Sequence, residues 1–266
     1  MRSAIISLQS FPLTLVACAL SLIGCGSPDE RTLEEIIEQS YKIEPTTSIS
    51  IRNLDGSIQV YGSASNEMTL QATKRAYSTN RLKQIAINVS VQPGSVTIET
   101  NFPEKSTWGL FDRSGTVDYI IVVPQTASIS RLELANGEVS VEEVRGQNVD
   151  AGLGSGRMFL RNCFSSVDAT VGRGTLTFAY EWWEPGKFSV QANIADGNVR
   201  AFLPSDAAFH LIAETVHGEI ASDFAAEEQR PAEPATKIDM SVNSGGEVGI
   251  QMQATEGNIK IVEEAP

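Results

Sequence analysis

The chain has 266 residues, of which 41% are hydrophobic and 20% charged. That balance can bury a sizeable core and argues against wholesale disorder. Twenty Lys and Arg stand against 33 Asp and Glu, a net charge of −13. Such a field repels nucleic acid and anionic headgroups, so no nucleic-acid partner is expected and a polyanion-binding role is disfavoured.

The first element is a leader. Arg2 supplies a short positive start, and an apolar stretch runs from Phe11 to Ile23, interrupted upstream by Gln9, Ser10 and Pro12. So short a run fits a cleavable signal better than a spanning helix. It ends in Leu22-Ile23-Gly24-Cys25, which resembles the lipobox of bacterial lipoproteins, with an aliphatic residue three before the cysteine and a small one just before it. The resemblance implies a signal peptide over residues 1–24, cleavage before Cys25, and lipid on the Cys25 thiol, followed by acylation of the freed amine. One acyl chain holds a protein only marginally, whereas two or three make attachment effectively permanent. The expected partner is therefore a membrane, held through lipid on Cys25, and the expected location is the bacterial cell envelope. Gly26, standing where an Asp is absent, resembles cargo sorted onward to the outer membrane in bacteria with two membranes. The bland alternative is a plain secretory signal with a chance cysteine.

Residues 25–47 read as the lipidated N-terminus and tether. Within them 32–44 could make a short amphipathic helix, because Thr32 and Glu35 have capping-box spacing. Beyond Pro45 the helical period gives way to short alternating strands broken by glycine, a β signal.

One pattern then recurs: a polar or small residue, Gly, any residue, aliphatic, polar, aliphatic. It appears as Asp55-Gly56-Ser57-Ile58-Gln59-Val60 and as Asn136-Gly137-Glu138-Val139-Ser140-Val141, and returns around Gly156, Gly174, Gly197, Gly218 and Gly257. From Gly137 to Gly218 these glycines lie 19, 18, 23 and 21 positions apart, about the size of one solenoid coil. Gly at a corner takes positive φ without a Cβ clash, and the aliphatics two apart after it point to one face. Asn-Gly and Asp-Gly also mark hairpins, so an antiparallel sandwich is the rival reading. Hairpin turns, however, recur about every 8–12 residues and need not keep one phase. The expected fold is all-β: a single β-solenoid-like domain over 48–262 and a short tail at 263–266. Two loops, Asn101 to Gly115 and Glu227 to Thr236, are expected as excursions from one body.

The run Val117-Asp118-Tyr119-Ile120-Ile121-Val122-Val123-Pro124, then Leu132 through Asn136-Gly137 to Val144-Arg145-Gly146, resembles the bacterial putative-adhesin β-solenoid family, a domain of unknown function found in secreted proteins and lipoproteins. Ala201-Phe202-Leu203-Pro204, then Phe209, Leu211 and Thr215 through Gly218-Glu219-Ile220, is similar to its second half. The resemblance implies a solenoid body over about residues 48–262 and brings no catalytic residues with it.

Chemistry-bearing residues are sparse. His210 and His217 have opposite parity on one strand, with no Cys or carboxylate at ligand spacing, so no metal site is expected. Gly152-Leu153-Gly154-Ser155-Gly156 superficially suggests a phosphate loop, but Met158 and Leu160 continue it as strand, so it reads as solenoid turns. Cys163 has no intramolecular partner and reads as a small buried hydrophobe. The acids Glu133, Glu138, Glu142, Glu143, Asp150, Asp168 and Glu181 are spread along the chain and read as solvated charge. Trp182-Trp183 is the one aromatic cluster. Either the pair offers a surface contact for a sugar ring or a protein, or one ring packs inward while the other covers a strand edge. No catalytic residue and no cofactor is expected. The sequence reads as a non-enzymatic envelope lipoprotein, a scaffold, adhesion or binding module with a glycan or another envelope protein as partner. The alternative is a glycan-active β-helix lyase or hydrolase, which would need acids converging in a groove.

Overall fold

The computed structural model describes residues 32–103, 115–224 and 235–264. The leader with Cys25 and most of both expected excursions lie outside them. Five long strands form the heart of the molecule: β2 (Ser48–Ser63), β7 (Ser128–Glu142), β8 (Asn148–Arg161), β9 (Ser166–Ala179) and β10 (Ser189–Pro204). They run side by side, all parallel, with Gly56, Gly137, Gly156, Gly174 and Gly197 in one row across them.

That row is where each strand turns a corner. Gly137 has φ 134°, and a Cβ built on it would lie 1.8 Å from the carbonyl oxygen of Gly56 in the next coil. Only glycine allows so close a backbone approach at that φ. Before the corner Leu132 and Leu134 are buried, and after it Val139 and Val141. Leu134 and Val139 are an odd number of positions apart, so the alternation changes phase at the glycine and both halves still face the core. The same step recurs from Leu153 to Met158, Val171 to Leu176 and Ile194 to Val199, all buried.

The two halves part company at the ends of the stack, which shows that they form two walls. The first half of β2 pairs with β5 (Ser95–Asn101) and its second half with β6 (Thr116–Pro124). The first half of β10 pairs with β14 (Gly249–Glu256) and its second half with β15 (Ile259–Glu264). A last coil adds β11 (Phe209–His217) to β14 and β12 (Ile220–Ser222) to β15. Aliphatic residues from both walls make one core. This is a β-solenoid-like body, as the glycine spacing predicts.

Antiparallel pairing is confined to the flanks. β3 (Glu67–Ala76) lies on β6, β4 (Ala86–Gln92) on β5, and β13 (Lys237–Val242) on β11. None of the long-strand Asp-Gly or Asn-Gly steps at Gly56, Gly137 and Gly197 is a hairpin, since all lie in parallel pairing; a tight hairpin occurs outside the repeat, where Gln92 pairs with Ser95 across Pro93-Gly94 and Gly94 has φ 73°. One short helix, Thr79–Gln84, follows β3; the Ser78 side chain caps it by accepting from the Arg81 amide.

The expected helix at 32–44 is instead β1 (Leu33–Lys42), an edge strand antiparallel to β3, with Leu33 opposite Ala76 and Lys42 opposite Glu67. The Thr32/Glu35 spacing caps nothing. Glu35 reaches Lys74 at 2.8 Å and Glu34 reaches Arg75 at 2.6 Å, so pairing with the open edge of β3 outweighs local helix propensity. The sheet thus takes in residues expected in the tether, and β15 continues to Glu264 within the expected tail.

Candidate functional site

The link from β9 to β10, residues 180–188, is longer than the other turns between neighbouring coils, which accounts for the interval of 23 between Gly174 and Gly197. The extra residues carry Trp182-Trp183 and build an aromatic block at one rim of the solenoid. Tyr180 is buried and its hydroxyl donates to the Cys163 carbonyl at 2.8 Å; burial raises its pKa well above the ordinary value. Trp183 packs on Tyr180, Phe188 and Phe209 with ring centroids 5.6, 5.8 and 6.0 Å apart. Trp182 lies outside, 37% exposed, against Phe164 at 5.8 Å. The Arg145 guanidinium sits 5.0 Å from the Phe164 ring centre, bonds the Glu184 carboxylate at 2.8 Å, and so holds the Glu184 pKa down. Trp182 Nε1 donates to the same carboxylate at 2.7 Å. One tryptophan therefore packs inward and the other covers the rim. Beyond Trp183 a recess of about 340 Å³ opens between Pro185, Asp206, Ala208 and Val248.

Most of the scattered acids resolve into ion pairs, within a strand or to a neighbouring strand or turn. Glu138 pairs with Arg157, Glu142 and Glu181 with Arg161, and Glu133 with Arg52 and Arg131. The Arg131 hydrogen bond is the main reason the Glu133 pKa is lowered. Glu143 leaves the strand pattern, with φ 61° at a turn. Asp150 and Asp168 are the exception: they stand directly opposite each other on β8 and β9. Partial burial, and then the Asp168 charge, push the Asp150 pKa up. Among the described residues no group of three His, Cys, Asp or Glu side chains could hold a metal ion. His210 on β11 faces Asp239 and Ser241 on β13, each at 3.2 Å.

With this geometry in hand, the family model described as Toastrack DUF4097 matches residues 35–262. The chain belongs to the Toastrack DUF4097 family. The match begins inside β1, ahead of the expected start at residue 48. Among the curated proteins none matches the chain. Among solved structures it is similar to a putative cell adhesion protein from Clostridium sporogenes, at 14% identity and TM-score 0.49, over 86% of this chain and 100% of that one. A putative adhesin from Bacteroides fragilis is 16% identical with TM-score 0.30, over 86% of this chain and 97% of that one. A putative lipid binding protein from Parabacteroides distasonis is 13% identical with TM-score 0.30, over 85% and 96%.

In this Toastrack chain Cys163 is a free thiol buried at a turn, its sulfur 3.4 Å from the Val141 carbonyl oxygen. Burial pushes its pKa up to about 12, so it carries almost no thiolate at neutral pH. It should ignore an aromatic disulfide reagent at pH 8 while the protein is folded and titrate fully in denaturant; prompt reaction of Cys163 in the native protein would refute this.

Reading the sequence alone missed three parts of the aromatic block: Phe164, Phe188 and Arg145. Phe164 and Phe188 lie in turns outside the glycine repeat. The one available signal was the longer interval around residues 180–188. No helix of the described residues is long and apolar enough to cross a membrane.

Proposed function

We propose that this chain is a non-enzymatic binding module of the bacterial cell envelope, held to a membrane by lipid on Cys25 and sorted to the outer membrane where there are two. The observation that carries the binding reading is the order of the outward rows. In-register parallel coils stack like positions on like across each wall, giving a long rigid face for repeated weak contacts. Such contacts add up when many copies share one membrane. Most of the acids on that face are neutralised by an Arg of a neighbouring strand, so they do not form the convergent, preorganised group that catalysis needs. The anchor rests on the sequence, in which Leu22-Ile23-Gly24-Cys25 closes the apolar leader.

Fractionation with acyl labelling tests the anchor. Wild type should sediment with membranes and take up label, and Cys25→Ser should lose the label and remain uncleaved or mislocalised. An unlabelled, soluble wild type would remove the anchor. The second reading, a glycan-active enzyme, is favoured by one feature, the Asp150–Asp168 pair with its raised Asp150 pKa. Paired carboxylates serve glycoside hydrolysis when they flank a bond in a cleft, whereas these two stand side by side on a wall. Purified protein is expected to show no turnover of envelope or plant polysaccharides; turnover abolished by Asp168→Asn would establish the enzyme instead.

A further inference from the structure

The second wall, after the glycine corner, carries an outward row that runs Gln59, Ser140, Phe159, Thr177, Arg200, Lys260 across six adjacent strands. Five of these, all but Lys260, line a shallow recess of about 460 Å³ together with the mutually neutralising Glu138–Arg157 pair. Three features set it apart. Phe159 keeps 36% of its surface exposed in the middle of a solvent face, so an aromatic ring is offered to solvent there. Its in-register neighbours, Ser140 and Thr177, are uncharged hydrogen-bonding side chains. Arg200 and Lys260 stand directly opposite each other as Cα partners, about 4.8 Å apart along the sheet.

Like charges in register are destabilising. The other outward arginines of the long strands are matched by acids: Arg52, Arg131, Arg157, Arg161 and Arg173 each pair with a carboxylate. Among the described residues neither Arg200 nor Lys260 has such a partner. In a chain of net charge −13, two adjacent uncompensated cations at the end of an aromatic, hydroxyl-lined recess are a specific local reversal of the field.

We infer that this recess binds an oligosaccharide that is mainly neutral and carries one acidic sugar, with a sugar ring stacked on Phe159 and the carboxylate held by Arg200 and Lys260. Aromatic faces and hydroxyl or amide side chains suit sugar rings. An arginine fork matches a carboxylate in two hydrogen bonds, with Lys260 adding a point charge. The net negative field disfavours a densely charged polyanion, so the ligand class has one charge per bound stretch and not one on every sugar. This deepens the binding-module reading and fails separately from it: membrane attachment and absence of turnover do not depend on this recess.

The test uses the purified protein with xylotetraose carrying one glucuronic acid, and with plain xylotetraose, by titration calorimetry. The acidic sugar should bind at least tenfold tighter than the neutral one. The double variant Arg200→Gln/Lys260→Gln should lose that preference while its melting temperature stays level or rises, because a like-charge contact is removed. Phe159→Ala should weaken both sugars. Lys83→Gln, which removes an exposed charge from the helix outside this wall, should change nothing. Equal binding of the two sugars, no binding of the acidic one, or an equal loss with Lys83→Gln would each overturn the inference.

Discussion

Gly137→Val should destabilise the protein by about 3–5 kcal/mol, among the largest effects of any single substitution. Two costs combine. A β-branched residue at φ 134° is strained by about 1–3 kcal/mol. In addition, the new Cβ would start 1.8 Å from the Gly56 carbonyl oxygen, which is backbone and cannot rotate away. Relief requires the β2 and β7 strands to separate at the corner, and the neighbouring glycine row makes that separation propagate. Gly152→Ala is the control. A Cβ there would meet only the Leu132 carbonyl oxygen, at 3.9 Å, and its φ is not positive. Replacing such a glycine tends to stabilise by about 0.4–1 kcal/mol, by narrowing the unfolded ensemble. Chemical denaturation of both variants decides the matter: equal midpoints for Gly137→Val and wild type would remove the corner.

The corners are the part of the fold most legible in the sequence, because each is enforced by an irreplaceable residue type in a fixed phase. Gly56, Gly156, Gly174 and Gly197 all show positive φ at the expected step. The wall before each corner was less legible. Its inward residues include Ala151, Ala169 and Ala192, small side chains that give little alternation to read. β1 was misread for a related reason. Leu33, Glu34, Glu35 and Gln39 favour a helix locally, and Ile37 with Tyr41, the pair that packs on the core, is spaced as well for a helix face as for a strand. What decides the conformation is the vacant edge of β3, a feature far along the chain. At the candidate site the tryptophans were legible as a cluster but their orientation was not. Phe164 and Phe209, which set it, come from the preceding turn and from β11.

That orientation gives the two tryptophans opposite roles. Trp183→Ala should cost about 2–4 kcal/mol, since it removes three ring contacts and leaves Tyr180, Phe188 and Phe209 facing a void. Trp182→Ala should cost about 1 kcal/mol, from one ring contact and the bond to Glu184 at an exposed position. Trp183→Phe separates loss of an aromatic ring from loss of size: it keeps a ring against Tyr180, Phe188 and Phe209 and should cost well under the alanine variant. Neither tryptophan lines the recess around Phe159 and Arg200, so Trp182→Ala and Trp183→Phe should both keep the preference for the acidic sugar. Loss of that preference in Trp182→Ala, with its melting temperature little changed, would move the contact to the outer ring of the aromatic block. Thermal melts of all three variants, run beside the binding titrations, separate the fold from the site.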